Sequence, residues 1–571
     1  MSTETRLKVV LCWRMHQPEY RNYVDGRYQL PWTYLHAIKD YTDMAALIEQ
    51  TPGARAVINF VPVLLDQFED YAASINGFLT ERRPLRDPLL AALAAREWPR
   101  EPELRAALVV SCLRANEARL INRFPPYKRL AQFGALVKED RESLGYLGDQ
   151  YLGDILAWYH LAWLGETVRR EDQRVRYLIE KGRFYSYEDR LQLLEIMGQL
   201  MNSLVGRYRR LAEQGRIELS MTPYAHPMLP LLIDFACARE AVPELSLPVC
   251  PSYPGGLERV RWHIRQGITS FQRHFGFAPR GCWPAEGGIS TQVVNLLGEF
   301  GFKWTATGES VLRNSLALTR PDRSQSMEGM LHQAYRVGGG KTTCFFRDDG
   351  LSDLIGFTYY NWHADDAVAN LIHHLESIAK AHEGEPQRVV SIILDGENAW
   401  EAYPENGYYF LTALYRRLAE HPQLDLTTFS DCLSNGMETA DLPKLVAGSW
   451  VYGTFSTWMG NKDKNHGWDL LCAAKHAYDE TMSEGKLSKE DGERATWQLA
   501  ACEGSDWCWW FGDYNPSESV GDFERLYRLH LSNLYRFLGR EPPQNLAQVI
   551  STGGGQAEQG GVMRRGQAEA H

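Results

Sequence analysis

Short runs of β-branched and other apolar residues recur along the chain, and they constrain its fold more than any other feature. Each run has the length of a strand and is bounded by polar or Gly/Pro-containing segments. The runs are LKVVLCW, ARAVINF, RIELSMT, RGCWPAE, FKWTATG, TTCFF, RVVSIILD and LDLTTFS. They resemble strands that are buried on both faces. Helical patterns such as 262–275 and 366–383 lie between them, so the sequence predicts an α/β fold with a parallel barrel.

Two stretches interrupt this alternation. The interval from about 64 to 214 is rich in Leu, Ala, Arg and Glu, and we interpret it as a helical insertion. Further helical patterns lie at 464–485, 488–502 and 519–538. The predicted units are a catalytic barrel with its insertion over 1–430, a C-terminal helical region over 431–550 and a disordered tail over 551–571.

Charge and cysteine usage exclude several classes of protein. With 61 basic and 72 acidic residues the formal net charge is -11, which argues against nucleic acid and anionic membrane as partners. No apolar run approaches the length of a membrane span, and the N-terminus lacks the pattern of a signal peptide. The ten cysteines form neither a CxxC pair nor a metal-binding spacing. We therefore expect a cytoplasmic protein with reduced thiols, no metal and no cofactor.

One glycine-rich segment was compared with a phosphate-binding loop. VGGGKTT at 337–343 fails the required spacing, because Tyr335 stands where the first glycine must be. We predict a hairpin turn there instead. Aromatic residues are more informative, since the chain has 17 Trp and 28 Tyr, many in polar company. Aromatic faces stack on sugar rings, although most aromatic residues in any protein belong to the core.

Two predicted strands end in carboxylates. Asp395 ends an apolar run, and Glu286 follows the short run that contains Trp283. In parallel barrels the loops after the strands converge on one mouth, where the active site lies. A turn that uses Asp for backbone reasons, or a Glu that favours a helix N-terminus, would give the same patterns. Because cleavage of a glycosidic bond needs two carboxyl groups, we predict that Glu286 and Asp395 form such a pair.

Histidines follow two further predicted strands. His16 lies in WRMHQP after the first strand, and His226 lies in TPYAHP after the strand that contains Glu218. A lone histidine is more often a structural group. Two histidines at separate strand ends, each flanked by Pro and aromatic residues, are equally consistent with binding to sugar hydroxyls.

Taken together, these segments resemble glycoside hydrolase family 57, and they come in the order of that family's five motifs. The segments are His16-Gln17-Pro18, GRIEL with Glu218, TPYAHPMLPLL, WPAEGG, LDGENAWE and GSW…STWMGNKDKN…W. They span residues 16 to 468. The amylopullulanase-like branch is the most similar, through strings at 30–41, 226–231 and 395–401.

The resemblance implies a (β/α)7 barrel with a helical C-terminal part and a retaining mechanism on α-glucans. By this resemblance Glu286 is the nucleophile and Asp395 is the general acid/base. The residues expected to bind substrate are His16, Gln17, Glu218, His226, Trp283, Glu397, Trp400 and Trp458.

The expected activity is a retaining hydrolase of the amylase or amylopullulanase type, acting on α-1,4 bonds of an α-glucan polysaccharide or a maltooligosaccharide. Cleavage of α-1,6 bonds, endo or exo action and the oligomeric state stay open. One alternative is a 4-α-glucanotransferase or branching enzyme that uses the same double displacement. The other is a non-catalytic carbohydrate-binding protein.

Overall fold

A computed structural model describes residues 6–319, 329–385 and 387–555. Within these ranges, ten strands belong to one sheet. The strands are β1 (Leu7–Met15), β2 (Ala56–Phe60), β3 (Ile217–Met221), β4 (Gly281–Cys282), β5 (Trp304–Gly308), β6 (Ala334–Val337), β7 (Thr343–Arg347), β8 (Val389–Asp395), β9 (Leu424–Thr427) and β10 (Thr439–Leu442).

Seven of these strands close into a parallel barrel in the order β1, β2, β3, β4, β5, β7 and β8. The barrel closes through β8, which pairs with β1 on one side and with β7 on the other. The register of β1 and β8 sets Arg14 beside Asp395, so both lie at the carboxyl ends of their strands. The predicted (β/α)7 barrel is confirmed.

Each of the apolar runs contains an observed strand, whereas β6 and β10 were not predicted. Both are four residues long and include exposed polar positions, so neither has the continuous apolar pattern of a barrel strand. β6 pairs antiparallel with β7, and the segment VGGGKTT forms the turn between them, as expected. β10 extends the sheet beyond β6, and β9 pairs with the first half of β1.

Helices occupy the connections and both of the predicted helical stretches. Before β3 they are α1 (Trp32–His36), α2 (Thr42–Gln50), α3 (Pro62–Glu81), α4 (Pro88–Leu93), α5 (Pro102–Ser111), α6 (Pro125–Glu139), α7 (Asp149–Trp163), α8 (Glu166–Glu171), α9 (Gln173–Lys181) and α10 (Tyr187–Glu213). Between β3 and β10 they are α11 (Leu229–Ile233), α12 (Gly256–Phe275), α13 (Thr291–Glu299), α14 (Glu309–Thr319), α15 (Asp349–Phe357), α16 (Ala364–Ala381), α17 (Asn398–Ala402), α18 (Tyr408–Ala419) and α19 (Phe429–Ser434).

After β10 the helices are α20 (Lys462–Glu484), α21 (Lys489–Cys502), α22 (Asp506–Trp510) and α23 (Ser517–Phe537). Short π-helical turns lie at Ala37–Tyr41 and Glu117–Ile121. Turns of 3-10 helix lie at Arg141–Tyr146, Phe235–Arg239, Ala285–Gly287, Tyr359–Asn361, Pro404–Gly407 and Gln544–Ala547. Among the described helices, none combines the length and the apolar character that a bilayer crossing requires.

The longest helix shows how the sequence delimits these elements. Ser186 begins α10 with a capping box, in which its hydroxyl accepts from the backbone N–H of Asp189 while the Asp189 carboxylate accepts from the N–H of Ser186. A stripe of buried apolar residues then faces the neighbouring helices of the insertion. The helical insertion and the C-terminal helical region are therefore both observed.

The division of the chain into three units stays a prediction. Of the predicted tail, residues 556–571 lie outside the described residues. The backbone N–H groups of Gly554 and Gly555 donate to the carbonyl of Asn515, so the first part of that stretch is attached to the C-terminal helical region. All ten cysteines are free thiols.

Candidate active site

A cavity of about 580 Å³ opens at the carboxyl ends of the barrel strands. Its lower wall is formed by residues at the ends of β1 and β8 and in the loop after β4. The helical insertion and the C-terminal helical region form the upper walls, with aromatic side chains that include Trp163, Trp509 and Trp510. Below the cavity the barrel is filled by buried side chains such as Trp304 and Phe429, so the cavity is a closed-ended pocket.

Glu286 and Asp395 both line this cavity and share one arginine. Nη1 of Arg14 donates to Oε1 of Glu286 over 3.0 Å. Nε and Nη2 of Arg14 donate to Oδ1 of Asp395 over 2.8 and 2.6 Å. All three side chains are buried. The structure therefore brings the two predicted carboxylates to adjacent nitrogens of a single guanidinium group.

The second oxygen of each carboxylate is also held. Nε1 of Trp450 donates to Oε2 of Glu286 over 3.0 Å, and Nδ2 of Asn398 donates to Oδ2 of Asp395 over 3.0 Å. Hydrogen bonds from charged or polar donors stabilise the ionised form of a carboxylate. The four carboxylate oxygens are thus positioned before any substrate enters.

The backbone is sterically constrained in the two loops that carry Glu286 and Asp395. Glu286 has a φ of 54°, in the left-handed region that few side chains adopt, and Gly287 follows with a φ of 59°. The backbone N–H of Trp450 donates to the carbonyl of Glu286 over 3.1 Å, which supports this conformation. After Asp395, a Cβ on Gly396 would lie 2.3 Å from the sulfur of Met15. Backbone strain of this kind is concentrated at functional sites.

The pKa of Glu286 is raised above its ordinary value. Burial raises the pKa of Glu286 and the charge of Asp395 raises it further, whereas Arg14 lowers it. Burial also disfavours the charged form of Arg14, but Asp395, Glu286 and Glu397 together raise the pKa of Arg14 above its ordinary value. Arg14 is therefore a permanent positive charge between the two acids.

His16 and His226 lie next to this group and are stacked, with ring centroids 3.8 Å apart. Nε2 of His226 lies 2.8 Å from Nη1 of Arg14. Because arginine has donors only, Nε2 accepts, and the ring proton lies on Nδ1, where it donates to Oγ of Ser505 over 2.8 Å. Burial lowers the pKa of His226 well below its ordinary value, in agreement with a neutral ring.

His16 is held from the C-terminal helical region. Its Nε2 lies 2.7 Å from Oδ1 of Asp506, and its Nδ1 is buried without a hydrogen-bond partner in the described part of the chain. If the proton lies on Nε2, Nδ1 is left as an acceptor at the cavity wall. This arrangement suits a hydroxyl donor on a sugar.

His16, His226 and Asp506 are also the residues most similar to a metal-binding set. Their donor atoms lie within 4.8 Å of one another. However, stacked rings direct their lone pairs parallel to each other rather than toward one point, and Arg14 would repel a cation beside His226. Hydrogen bonds already account for most of these donors. The expected absence of a metal stays a prediction.

Three further predicted residues line the cavity, namely Gln17, Glu397 and Trp400. Oε1 of Gln17 accepts from the hydroxyl of Tyr20 over 2.8 Å. Trp400 is buried and packs edge-on against Trp13, with ring centroids 5.5 Å apart. Of the three, Gln17 and Glu397 offer polar groups at the cavity, and Trp400 supports the wall.

The structure does not bring Glu218, His226, Trp283 or Trp458 to the cavity wall, and His226 is fully buried beside His16. Glu218 lies inside the barrel, where its carboxylate accepts from Nε1 of Trp304 over 2.7 Å and from the backbone N–H of Ser430 over 3.0 Å. Burial raises the pKa of Glu218. Its hydrogen bonds are made inside the barrel, and Glu218 is not among the residues that line the cavity.

The two tryptophans are both fully buried and act as supports. Trp283 packs edge-on against Trp450, with centroids 5.4 Å apart, beneath the loop that carries Glu286. Trp458 lies behind Trp509, with centroids 5.7 Å apart. Their neighbours Trp450 and Trp509 line the cavity instead.

The sequence analysis did not single out Arg14, Trp450 or Asp506 as site residues. Each lies in a segment that it quotes or that is rich in aromatic residues, namely WRMHQP, GSW and SDWCWW. Two features of the sequence could have indicated them. Arg14 is a charged residue at the end of the first strand, and Asp506 is an acid within an aromatic segment. Only the pairing of β1 with β8 shows that Arg14 lies beside Asp395.

Comparison with known proteins agrees with this geometry. Residues 10–444 match the family model of glycosyl hydrolase family 57.

Solved structures of similar fold include three enzymes at low sequence identity. A branching enzyme of that family from Thermococcus kodakaraensis matches with a TM-score of 0.56 and 14% identity, over 93% of this chain and 90% of that one. An α-amylase from Thermotoga maritima matches with a TM-score of 0.55 and 16% identity, over 95% and 96%. A 4-α-glucanotransferase from Thermococcus litoralis matches with a TM-score of 0.51 and 13% identity, over 93% and 60%.

Proposed function

The chain belongs to glycosyl hydrolase family 57, and from that premise we propose that it cleaves α-glucans by double displacement with retention of configuration. The observation that carries the proposal is the shared contact of Glu286 and Asp395 with Arg14 at the base of the cavity. Retention requires two carboxyl groups close enough to act on one anomeric carbon, about 5–5.5 Å apart. Carboxylates that bind adjacent nitrogens of one guanidinium are close neighbours.

We assign Glu286 as the nucleophile. Trp450 and Arg14 donate to its two oxygens and favour the ionised form, which attacks the anomeric carbon and forms a glycosyl-enzyme. Asp395 protonates the departing glycosidic oxygen and then, as an ionised base, takes a proton from the incoming water. Arg14 and Asn398 donate hydrogen bonds to the two oxygens of Asp395 and hold it in position.

A pair of carboxyl groups at the base of the cavity suits a neutral substrate such as a sugar. The named activities of the similar structures support the same substrate class, an α-glucan. Those names are branching enzyme, α-amylase and 4-α-glucanotransferase. We favour a hydrolase of the amylase or amylopullulanase type that acts on a maltooligosaccharide or an α-glucan polysaccharide. The sequence predicts a cytoplasmic protein, and this stays a prediction.

Azide rescue tests the two roles directly. In Glu286→Gly, azide replaces the missing nucleophile and attacks once, so the product is a β-glycosyl azide. In Asp395→Ala, azide attacks the glycosyl-enzyme on Glu286, so the product is an α-glycosyl azide. The reverse pattern, or no rescue in either variant with an activated aryl glycoside, would contradict the assignment.

Transfer to a sugar hydroxyl is the second candidate. The aromatic upper walls of the cavity, with Trp32, Trp509 and Trp510, offer stacking surface on which an acceptor sugar could lie in place of water. Product analysis on a defined maltooligosaccharide separates the two activities, because a transferase makes longer chains and a hydrolase only shortens them. Pullulan then shows which linkage is cut.

A non-catalytic binding protein is the remaining alternative. Both carboxylates are present and oriented, which disfavours it. A reducing-sugar assay on starch with the wild type and Glu286→Gln decides, since a binding protein would show no difference between them.

A further inference from the structure

Glu397 is a third carboxyl group in the cavity, and the described residues around it leave one of its oxygens without a partner. The side chain is 2% exposed and lines the cavity two residues after Asp395. The Tyr41 hydroxyl lies close to the carboxyl group. Oε2 of Glu397 has no hydrogen-bond partner within the described ranges. A buried ionised carboxylate with a bare oxygen is strongly unfavourable.

The nearby positive charges are already used. Nε and Nη2 of Arg14 bind Asp395, and Nη1 binds Glu286 and faces Nε2 of His226. Each nitrogen of Arg14 thus has a partner, and none of these hydrogen bonds goes to Glu397.

Lys39, a second cation that lines the cavity, is also paired. Its Nζ donates to Oδ1 of Asp40 over 2.6 Å and to Oδ1 of Asn406 over 3.2 Å. The second oxygen of Asp40 lies 2.6 Å from Nδ1 of His36. Arg14 and Lys39 are therefore both bound to carboxylates other than that of Glu397.

The groups that face Glu397 come from three elements. Asp395 lies on β8, Arg14 on β1, and Asp40 and Tyr41 on the π-helical turn Ala37–Tyr41. Tyr20, in the loop after β1, also interacts with its charge. The acids Asp395 and Asp40 repel an added negative charge on Glu397, whereas Arg14 and the Tyr41 hydroxyl favour it. Burial, followed by the charge of Asp395, raises the pKa of Glu397 well above its ordinary value.

We propose that Glu397 is a neutral carboxylic acid when substrate binds, and that its O–H donates a hydrogen bond to a hydroxyl of the bound sugar. This proposal rests on the proposed function and assigns a protonation state and a donor role to one of its binding residues. An ionised carboxylate can only accept hydrogen bonds, whereas a protonated one also donates. The cavity would then offer the sugar one donor at Glu397 and one acceptor at Nδ1 of His16.

Glutamine is the neutral analogue of a protonated glutamate, so kinetics separate the two protonation states. We expect Glu397→Gln to keep the KM for a maltooligosaccharide within about threefold of wild type, because its amide N–H replaces the O–H donor. Glu397→Ala should raise KM by about 2- to 10-fold, the loss of one neutral hydrogen bond. The KM of the wild type should rise at alkaline pH as Glu397 ionises, and Glu397→Gln should lack this rise, whereas kcat should fall in both proteins because both need a protonated Asp395.

Infrared difference spectroscopy gives a readout that is independent of turnover. At neutral pH the wild type minus Glu397→Gln spectrum should contain the C=O stretch of a protonated carboxylic acid. Glu401→Gln is the matched control, since Glu401 is four residues further on and lines the same cavity. Its difference spectrum should lack that band.

The outcomes separate this proposal from the proposed function. Absence of the protonated-carboxyl band, or a Glu397→Gln variant as impaired as Glu397→Ala, would overturn the neutral acid. A wild type with no activity on any α-glucan but with the band present would instead refute the function and leave the protonation state standing.

Discussion

The indole nitrogen of Trp450 donates a 3.0 Å hydrogen bond to Oε2 of Glu286. The same two residues are joined through the backbone, where the N–H of Trp450 donates to the carbonyl of Glu286. Trp450 also lies beside the guanidinium groups of Arg14 and Arg347, 5.1 and 5.4 Å from the ring centroid. A segment after the last barrel strand thus holds the proposed nucleophile in position.

Replacement of Trp450 by Phe should keep the ring and remove the indole N–H. A hydrogen bond to a charged group contributes about 1.5–3 kcal/mol, so we expect kcat/KM to fall by about 10- to 100-fold. The pKa of Glu286 should rise, because a donor to its ionised form is lost. Steady-state kinetics on a maltooligosaccharide measure the effect.

Trp362→Phe is the matched control, because Trp362 is 44% exposed and lies outside the cavity. It should leave kcat/KM unchanged. Equal losses in both variants would show that the Trp450 effect is not specific to Glu286.

Arg14 should control the acidic limb of the pH profile. Arg14 lowers the pKa of Glu286, and the nucleophile must be ionised, so activity is lost as the pH falls through that pKa. Arg14→Gln raises this pKa and should move the acidic limb to higher pH, with kcat/KM at the optimum lower by about 10²- to 10³-fold.

Arg14→Lys keeps the charge but not the geometry that binds two carboxylates at once. Its acidic limb should lie between those of the wild type and Arg14→Gln. An acidic limb that is the same in all three proteins would contradict a role for Arg14 in setting the charge of Glu286.

Asp506 should act on substrate binding through His16. Its carboxylate holds Nε2 of His16 at 2.7 Å, and without it the ring loses both its orientation and its fixed proton position. We expect Asp506→Ala to raise KM for a maltooligosaccharide by about tenfold, with a smaller change in kcat. Asp513→Ala, an exposed acid of the same segment, should leave both constants unchanged. A loss confined to kcat would argue against this role.

The barrel could be predicted from the sequence because its strands are buried on both faces, which leaves continuous apolar runs such as Val389–Asp395. The rule that strand ends meet at one mouth also predicts the neighbourhood of Glu286 and Asp395. β6 and β10 could not be predicted in this way, since they are short strands outside the barrel with exposed polar residues.

Side-chain direction explains why several site residues could not be predicted. Glu218 lies on a barrel strand, but it is three residues before the strand end and is enclosed in the interior with Trp304. Trp450 and Trp458 are eight residues apart in one aromatic segment, and only packing shows that the first reaches the cavity while the second lies behind Trp509. A motif therefore predicts which segment lies at the site, whereas tertiary contacts determine which residue of that segment lines the cavity.

Glu503 lies outside the cavity and belongs to a buried ionic cluster. Its carboxylate accepts from Arg259 over 2.7 Å, from the Tyr253 hydroxyl over 2.6 Å and lies 2.7 Å from Nε2 of His263. Burial alone would raise its pKa, but Arg259 and His263 lower the pKa of Glu503 to about 2. The cluster joins α12 to α21 and thus connects the barrel to the C-terminal helical region.

Glu503→Gln should lower the free energy of unfolding at neutral pH by about 3–5 kcal/mol, because it leaves the buried Arg259 charge uncompensated. A depressed pKa contributes stability that is complete above the ordinary value of 4.5 and is lost as the pH falls toward about 2. Urea unfolding of wild type and variant should therefore converge across that interval. Glu299→Gln, which removes the exposed pair with Arg261, should change stability by less than about 1 kcal/mol. A difference between wild type and Glu503→Gln that persists unchanged to pH 2 would show that packing, and not charge, makes this cluster stabilising.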